Sequence, residues 1–443
     1  MLGLMQEWPL LCHKVIDHAA SYHGAREVIS RSVEGPIHRT NYREVRMRSL
    51  AFAKRLEREG IKPGDRIATM AWNTWRHLEA WYGITGVGAI YHTLNPRLFA
   101  EQLVWIINDA EDRILFVDLT FLPLVEKIAP RVPTLEKIIV LTDRAHMPDT
   151  TLANVACYEE WLAEADSDYA WKDLDEKAAA GMCYTSGTTG HPKGVVYTHR
   201  SNVLHAMASI FPDVIGMSSA DTMMPVVPFF HANAWGLPFA APAVGARLVL
   251  PGRHSDGASL ARLIAQEAVT IAVGVPTVWL GLVEHIEATG GALPSLRRIV
   301  VGGAPMPPAL MERLERRLGV AVQTSWGMTE LSPSGTMAPP GDAARHASLS
   351  GRPAIGVDLL LTHADGRPLP EQRNAEGHLR VRGAAVIERY LGHSEPSTDT
   401  DGWFDTGDLA RIDARGNLMI TGRSKDLIKS GGEWINPAEI EAV

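Results

Sequence analysis

The sequence predicts an α/β fold, in which helices cover mainly parallel sheets in a large N-terminal domain and a small antiparallel β subdomain follows. Up to about residue 340, short β-branched runs alternate with longer segments of helical apolar spacing, which is typical of parallel sheets covered by helices. From about residue 350, strand patterns flank the turn signals at 365–366 and 415–417, which favours antiparallel pairs. A chain of 443 residues is too long for one ordinary core, so more than one domain is expected.

The spacing of the apolar residues predicts the individual elements. Short apolar, β-branched runs bounded by turn residues predict buried strands at 65–72, 112–118, 137–143, 246–252, 269–275 and 297–303. Helices are predicted at 259–268 and 307–319, where apolar residues recur at helical spacing. Strand pairs are predicted within 357–370 and within 409–422.

Composition and charge narrow the class of protein. Hydrophobic residues make up 46% of the chain and charged residues 21%, as in ordinary soluble globular proteins. The net charge of -8 argues against nucleic acid or an anionic membrane surface as the main partner. The three cysteines lack disulfide-framework or metal-ligand spacing, the N-terminus is a poor signal peptide, and prolines interrupt the most apolar region, 223–250. We therefore expect a cytoplasmic protein with no nucleic-acid partner and no integral membrane contact.

The most informative motif is CYTSGTTGHPKGVVYTHRS, residues 183–201. An apolar run at 181–184 predicts a strand and the residues from Ser201 onward a helix, so four hydroxyl residues, three glycines and Lys193 fall in the loop between them. Glycines let backbone N–H groups approach an anion, hydroxyls add donors, and a lysine supplies a positive charge. We interpret this stretch as a polyphosphate-binding loop rather than a plain surface turn.

A Walker-type loop of kinases and ATPases is the sharper alternative for this motif. Gly187 has the spacing to Lys193 that such a loop requires. Pro192, however, replaces the glycine before the lysine, and Gly194 replaces the hydroxyl residue that would hold magnesium. Two of the four fixed positions therefore disagree with a Walker loop.

The pattern T-S-G-T-T-G-x-P-K-G resembles the phosphate loop of the adenylate-forming (ANL) superfamily of acyl-CoA synthetases, luciferases and peptide-synthetase adenylation domains. Further motifs of that family follow in its order: PFFHANAWG at 228–236, VGGAPMP at 301–307, SWGMTE at 325–330, GWFDTGDLA at 402–410 and GRSKDLIKSGGEWINPAEIE at 422–441. One departure is Trp326, where the family usually has tyrosine. The resemblance implies a two-step reaction: a carboxylate and ATP give an acyl-adenylate and pyrophosphate, and the thiol of coenzyme A then displaces AMP.

The resemblance also implies roles for single residues. Those expected at the reacting groups are Thr185, Lys193, His231, Trp235, Thr329 and Glu330. Glu330 is the expected Mg²⁺ ligand, because a hard cation prefers a carboxylate beside the phosphates. His231 and Trp235 would stand at the acyl pocket. Taken alone, Glu330 could equally be a surface carboxylate and His231 a core residue.

A larger set of residues is implied to bind ATP or AMP and coenzyme A. These are Ser186, Gly187, Thr188, Thr189, Gly190, Gly302, Gly303, Ala304, Pro305, Ser325, Trp326, Gly327, Met328, Asp408, Arg423, Lys425, Gly431, Gly432, Glu433 and Trp434. Asp408 resembles the family's ribose ligand, because one carboxylate can accept hydrogen bonds from two hydroxyls; taken alone it could be ordinary turn chemistry. Further pocket candidates, for which core packing is the alternative, are Gly274, Val275, Pro276, Thr277 and Met328.

The resemblance divides the chain into an N-terminal AMP-binding domain, 1–424, with its β-rich subdomain at about 345–424, and the hinge with the beginning of a C-terminal domain, 425–443. Lys425 stands at the family's hinge position, about which the small domain swings.

The end of the sequence contains the start of a helix. Asn436 can cap a helix, and Glu439 stands where it can complete the capping box. After Lys429 there is no lysine to match the one that the family carries near the end of its C-terminal domain. We therefore expect that a mobile catalytic domain continues beyond Val443, and that the 443-residue chain forms acyl-adenylate slowly.

The substrate acid is predicted from the pocket motifs. They most resemble those of bacterial fatty-acyl-CoA ligases and their relatives that activate 3-methylthiopropionate, and the bulky Trp235 would narrow the pocket. A short- to medium-chain aliphatic or thioether acid is therefore expected; the alternatives are a long-chain or aromatic acid and a binding fragment with little adenylation activity. An amino-acid adenylation domain is disfavoured, because HANAWG lacks an acidic residue for an ammonium group. A homodimer is compatible with the resemblance.

Overall fold

In the computed structural model of the chain, residues 1, 3–185 and 191–424 are described, with the side chain of Ser334 left out, and 428–430 and 433–435 are described by their backbone. The chain divides into two compact units. Unit 1 comprises Met1–Met207 and Ser218–Ser255, and unit 2 comprises Ala208–Met217 and Asp256–Val443. The predicted roles of Ser186, Gly187, Thr188, Thr189, Gly190, Lys425, Gly431 and Gly432, of the side chains of Glu433 and Trp434, and of the helix start at Asn436 lie outside the described residues.

Unit 1 alternates helices and strands. Its helices are α1 Cys12–Tyr22, α2 Tyr42–Arg58, α3 Trp75–Gly86, α4 Ala100–Ala110, α5 Leu122–Ile128, α6 Tyr158–Ala163, α7 His199–Ser209 and α8 Leu237–Val244. Its strands are β1 Glu27–Arg31, β2 Ile37–Asn41, β3 Arg66–Met70, β4 Ile90–Thr93, β5 Ile114–Val117, β6 Lys137–Val140, β7 Val155–Cys157, β8 Ala179–Thr185, β9 Lys193–Thr198, β10 Thr222–Pro225 and β11 Arg247–Leu250.

A seven-stranded sheet of order β7-β6-β5-β3-β4-β8-β9 forms the centre of unit 1, and all its pairs are parallel except β8–β9. Strands β2, β1, β11 and β10 form a second set, in which only the β1–β2 pair is antiparallel. Because β4 and β5 lie on opposite sides of β3, the winding of the large sheet reverses at β3. Loops at the carboxyl ends of such strands are the usual place for a ligand site in α/β proteins.

Local sequence explains where two of these helices begin. The Asn41 side chain accepts a hydrogen bond from the Glu44 N–H at 3.0 Å, and the Thr74 hydroxyl accepts one from the His77 N–H at 3.4 Å. Both are ordinary N-caps. The sheet is joined to α4 and α5 through a buried apolar cluster that includes Leu115, which holds the loops between these elements in place.

Unit 2 combines a parallel part with antiparallel strands. Its helices are α9 Gly257–Glu267, α10 Pro276–Thr289 and α11 Pro308–Leu318. Its strands are β12 Ile271–Gly274, β13 Arg298–Val301, β14 Ala321–Gly327, β15 Ser334–Met337, β16 Arg352–Pro353, β17 Val357–Thr362, β18 Ala375–Gly383, β19 Phe404–Ile412, β20 Leu418–Arg423, β21 Ile428–Ser430 and β22 Glu433–Ile435. Pairs β12–β13 and β13–β14 are parallel, pairs β14–β15 and β15–β16 are antiparallel, and β17-β18-β19-β20 form an antiparallel sheet.

The predicted fold class is confirmed, including the small antiparallel sheet after the α/β part. The six predicted strands contain β3, β5, β6, β11, β12 and β13, and the two predicted helices coincide with α9 and α11 to within two residues. The strand pair predicted within 357–370 is only partly formed: an isolated bridge joins Thr362 to Pro368, and the Leu369 N–H donates to the Leu361 carbonyl oxygen at 2.9 Å, but the regular ladder of β17 is with β18. Prolines at 368 and 370 remove ladder donors and so prevent a regular strand there. Within the described ranges, no helix combines the length and the apolar character needed to cross a membrane.

Candidate active site

The β8–β9 hairpin brings together two predicted site residues of unit 1. Thr185 ends β8, Lys193 begins β9, and the two are paired across the antiparallel ladder. The Lys193 side chain is exposed and Thr185 is half-buried. The hairpin therefore puts a hydroxyl and an ammonium group side by side at the carboxyl end of β8.

A second part of unit 1, the 225–236 segment, is held by the buried side chain of Asn73. Its amide nitrogen donates to the carbonyl oxygens of Pro225 at 2.8 Å and Val227 at 2.9 Å, and its amide oxygen accepts from the Phe229 N–H at 2.8 Å. Asn73 follows β3 by three residues. One side chain thus satisfies three buried backbone groups of a segment that has no ladder to satisfy them.

The end of the same segment is a left-handed turn. Ala232, Asn233, Ala234 and Trp235 have φ values of 43°, 53°, 46° and 53°. Residues other than glycine rarely adopt this conformation, and a run of four is costly. The Thr93 hydroxyl, at the end of β4, donates to the Asn233 side-chain oxygen at 3.0 Å and so ties the turn to the sheet.

The two predicted acyl-pocket residues lie on either side of this turn. His231 precedes it, with its ring exposed at the surface of unit 1, and Trp235 is half-buried within it. The surrounding protein, and to a smaller extent Arg97, lower the pKa of His231, which keeps the ring neutral over more of the acidic range. Backbone strain of this kind collects at functional sites, and Trp235 lies within the strained turn whereas His231 directly precedes it on extended backbone.

A buried carboxylate, Asp118, follows β5 at the same edge of the large sheet. Its side chain accepts a hydrogen bond from the Trp72 N–H at 2.6 Å and is almost fully buried. Burial raises the pKa of Asp118 to about 7, although the Trp72 N–H opposes the shift. Asp118 therefore supports the backbone beside Asn73 and titrates near neutrality.

In unit 2, three parallel strands end beside one another and bring predicted residues together. Gly274 at the end of β12 pairs with Val301 of β13, and Val301 pairs with Thr324 of β14. The predicted pocket and adenine-binding stretches 274–277, 302–305 and 325–328 begin at these paired residues or directly after them. Ser325 strengthens this edge, because its hydroxyl donates to the Val301 carbonyl oxygen at 2.9 Å.

Trp326, Asp408 and Arg423 form a bonded triad in unit 2. The indole N–H of Trp326 donates to Asp408 Oδ2 at 2.9 Å, and Arg423 Nε lies 2.8 Å from Asp408 Oδ1. Asp408 on β19 and Arg423 on β20 are register partners, so the ladder itself sets their ion pair. The carboxylate is only 2% exposed, and two donors fix its orientation.

Glu330 is bonded by a residue that the sequence motifs did not indicate. The Tyr390 hydroxyl donates to Glu330 Oε1 at 2.7 Å, and the Ile387 N–H donates to the Glu330 carbonyl oxygen at 2.9 Å. Burial and the nearby carboxylate raise the pKa of Tyr390, so the phenol stays protonated and donates. Thr329, beside it, is half-buried.

No spacing rule could have found Tyr390, Asn73 or Thr93, because each meets its partner across 60 or more residues of chain. Within the part of the chain that the structure describes, no group of three or more His, Cys, Asp and Glu side chains is arranged to hold a metal ion. Mg²⁺ is commonly bound through one or two carboxylates completed by substrate phosphates, and Glu330 is a carboxylate of the kind that such a site uses.

Parallel sheets with glycine-rich strand ends are typical of nucleotide-binding α/β proteins, and comparison with known proteins agrees. The chain belongs to the AMP-binding enzyme family, whose model matches residues 16–391. It is 46% identical over 455 residues to the medium-chain-fatty-acid–CoA ligase of Ectopseudomonas oleovorans, covering 100% of this chain and 83% of that protein. It is also 46% identical over 454 residues to the 3-methylmercaptopropionyl-CoA ligase of Ruegeria pomeroyi, covering 100% of this chain and 84% of that protein.

Solved structures share the fold. The anthranilate CoA ligase AuaEII in complex with anthranoyl-AMP superposes with a TM-score of 0.88 at 24% identity, covering 99% of this chain and 82% of that one. A Mycobacterium tuberculosis fatty acyl CoA synthetase gives 0.82 at 25% identity, covering 98% and 82%.

Proposed function

We propose that the protein is an AMP-forming acyl-CoA synthetase. It activates a carboxylic acid with ATP to an acyl-adenylate, releasing pyrophosphate, and transfers the acyl group to coenzyme A, releasing AMP. The observation that carries this proposal is the 46% identity to two CoA ligases across the whole of this chain. The geometry of the site residues supports it.

The triad of Trp326, Asp408 and Arg423 is proposed to bind the nucleoside. Asp408 accepts a hydrogen bond from Trp326 and forms an ion pair with Arg423, and its carboxylate has lone pairs left for the two ribose hydroxyls. The adenine is proposed to lie against 302–305 and 325–328. A buried carboxylate held in one orientation binds without first losing rotamer freedom.

Lys193, Thr185 and Thr329 are proposed to bind the phosphates, together with the loop residues between Thr185 and Lys193. Donors that point at the phosphates offset the charge that builds up as the acid oxygen attacks. Glu330 fits a Mg²⁺ ion, because Tyr390 bonds one of its carboxylate oxygens and fixes the orientation of the other. Bound there, Mg²⁺ would supply Lewis-acid stabilisation of phosphate charge.

His231 and Trp235 are proposed to contact the acid, and so are 274–277 and Met328. The left-handed turn fixes Trp235, and a bulky fixed indole shortens the space for an acyl chain. The substrate is therefore proposed to be a short- to medium-chain aliphatic or thioether acid, such as 3-methylthiopropionate. The names of the two relatives support this choice.

The second half-reaction is proposed to use the hinge at Lys425 and the residues that follow it. Gly431, Gly432, Glu433 and Trp434 are proposed to contact coenzyme A, and 1–424 and 425–443 to act as separate domains. A cytoplasmic location fits the reducing conditions that three free cysteines require.

Product analysis over a series of acids tests the proposal. With ATP, coenzyme A and Mg²⁺, we expect pyrophosphate release and acyl-CoA formation that are fastest with 3-methylthiopropionate and six- to ten-carbon acids. A preference for palmitate or coumarate would contradict the substrate class. Pyrophosphate release without acyl-CoA would restrict the protein to adenylation, and AMP binding without any pyrophosphate would identify a silent nucleotide-binding module.

A further inference from the structure

Helix α4 contacts both flanks of the predicted phosphate loop. Trp105 and Asp109 are four residues apart and so lie on one face of the helix. The Tyr184 hydroxyl, before the loop, donates to Asp109 Oδ2 at 2.7 Å. The His191 ring, after the loop, stacks on the Trp105 indole with ring centroids 4.7 Å apart and planes 7° from parallel.

The contact before the loop is reinforced by other aromatic rings. The Trp105 and Tyr184 rings meet edge to face at 6.0 Å, and the His92 ring lies 5.2 Å from Tyr184 on β8. His92 is itself fixed, because its Nδ1 lies 2.8 Å from Asp112 Oδ2 with both side chains fully buried. Burial and the bond to Asp109 raise the pKa of Tyr184, so the phenol remains a donor.

These contacts bear directly on two proposed phosphate-binding residues. Thr185 follows Tyr184, and Lys193 stands two residues after His191. Among the described residues, Thr185 and Lys193 form the last pair of the β8–β9 ladder before the loop. We propose that Trp105 and Asp109 are positioning residues that fix Lys193 and Thr185 for triphosphate binding. This inference rests on the proposed function.

If these contacts had a purely structural role, their loss would lower the stability of the fold. Asp109 and His191 are exposed and Trp105 is half-buried, and contacts at a surface contribute little to global stability. Their loss should therefore act on the affinity for ATP rather than on the stability of the fold. AMP lacks the β- and γ-phosphates, so its binding should not depend on where Lys193 stands.

The test measures the dissociation constants of ATP and AMP by calorimetry, and stability by urea unfolding, for the 443-residue chain. His191→Ala and Trp105→Ala should each weaken ATP binding roughly three- to tenfold, the range expected for one aromatic pair, and leave AMP binding unchanged. Because the two residues act through one stack, the double variant should be no weaker than either single variant. Tyr184→Phe should produce a similar loss of ATP affinity through the other flank.

Two sets of controls separate positioning from direct contact and from stability. His191→Phe and Trp105→Phe keep a ring in the stack and should restore ATP binding, although His191→Phe removes any hydrogen bond from the imidazole to a phosphate. The matched stack of His38 on Trp75, with centroids 3.9 Å apart and planes 17° from parallel, lies on β2 and α3. His38→Ala should leave both dissociation constants unchanged.

Three results would overturn the inference: unchanged ATP affinity in His191→Ala, equal losses for ATP and AMP, or failure of His191→Phe to restore binding. If Trp105→Ala does not fold, His191→Ala and His191→Phe are sufficient for the test, because His191 is exposed. Failure of the wild-type chain to bind ATP would instead overturn the proposed function, so the two failures are distinct.

Discussion

The 225–236 segment of unit 1 and the Trp326–Asp408–Arg423 triad of unit 2 present functional side chains in opposite ways. In unit 2 the functional side chains lie on strand ladders, with register shifts after Leu409 and Trp326, and they contact one another. In unit 1 the segment ends in a left-handed turn and is held by buried side chains: Asn73 bonds its backbone at 225–229, and Thr93 bonds Asn233 in the turn.

The difference shows which groups fix the geometry of each part of the site. Strand pairing satisfies the backbone N–H and C=O groups of a ladder, so the side chains are not needed for this and can orient each other. A strained turn persists only when surrounding groups over-determine it. Substituting the side chains that hold the 225–236 segment should therefore lower the stability of the fold first. Substituting the unit 2 triad should instead lower the affinity for the nucleotide.

The largest effect is expected from Asn73→Ala. It leaves three buried backbone groups of the 225–236 segment without their partner, so the free energy of unfolding should fall by roughly 4 kcal/mol. Urea unfolding measures this. Asn108→Ala removes one exposed bond to the Arg131 carbonyl oxygen and should change stability by less than about 1 kcal/mol. An equally small loss of stability in Asn73→Ala would contradict the claim that buried side chains hold the unit 1 segment.

The next effect concerns Asp118 and pH. Its pKa is raised by burial from 3.8 to about 7 in the folded chain, so folding favours the protonated form. The stabilising contribution is complete below about pH 4 and is lost as the pH rises through about 7. Asp118→Asn keeps an acceptor for the Trp72 N–H without a charge, and the stability of this variant relative to wild type should rise by roughly 3 kcal/mol between about pH 5 and pH 8.

Urea unfolding at several pH values follows this change, with Asp149→Asn as the control for the loss of an exposed carboxylate. If the stability difference between Asp118→Asn and wild type stays constant with pH, burial does not raise the pKa of Asp118.

Asp408→Asn should act on affinity. It removes the charge that pairs with Arg423 and weakens the acceptor proposed for the ribose hydroxyls, so the dissociation constant of AMP should rise by about tenfold or more. Asp405→Asn is the matched control on the same strand, because its side chain is 52% exposed and lies 3.7 Å from Arg380. Equal AMP affinity in both variants would remove Asp408 from the nucleotide site.

Tyr390→Phe should weaken the dependence on Mg²⁺ more moderately. Glu330 loses a donor that orients its carboxylate, so the Mg²⁺ concentration that half-maximally promotes ATP binding should rise several-fold, with AMP binding unchanged. Calorimetric titrations at a series of Mg²⁺ concentrations measure this. Tyr169→Phe is the control, since among the described residues the Tyr169 hydroxyl has no hydrogen-bond partner. An unshifted Mg²⁺ midpoint in Tyr390→Phe would contradict the positioning of Glu330.

The smallest effect is expected from Ala234→Gly, which tests whether the left-handed turn is strained. Glycine removes the steric cost of φ 46°, which offsets the lost methyl burial and the added freedom of the unfolded chain. Ala234→Gly should therefore change stability by less than about 0.5 kcal/mol, whereas Ala261→Gly in α9 should lower it by about 1 kcal/mol or more. Equal losses at the two alanines would mean that the turn is not strained.

Much of the fold and part of the site could be predicted from the sequence. Strands and helices followed from apolar periodicity. Within 357–370 the predicted turn forms, but the second predicted strand is reduced to a bridge because two prolines lack the N–H donors of a ladder. The residue types themselves predict the loop between Thr185 and Lys193, the apolar pattern predicts the strand at 297–303, and the resemblance to the family's motifs singles out 302–305 and 325–330. These are local properties, because periodicity and turn chemistry act over a few neighbouring residues.

The sequence by itself determined the class of fold, the ends of the strands and which motifs carry the chemistry. Only the tertiary structure decided which side chains meet: Asp408 with Trp326 across 82 residues, Asn73 with Phe229 across 156, and Asp109 with Tyr184 across 75. Such pairs depend on strand order and register, which bring distant residues to one edge of a sheet. The left-handed turn at 232–235 belongs to the same group, because its residue types disfavour it locally and only Thr93 and the packed surroundings hold it.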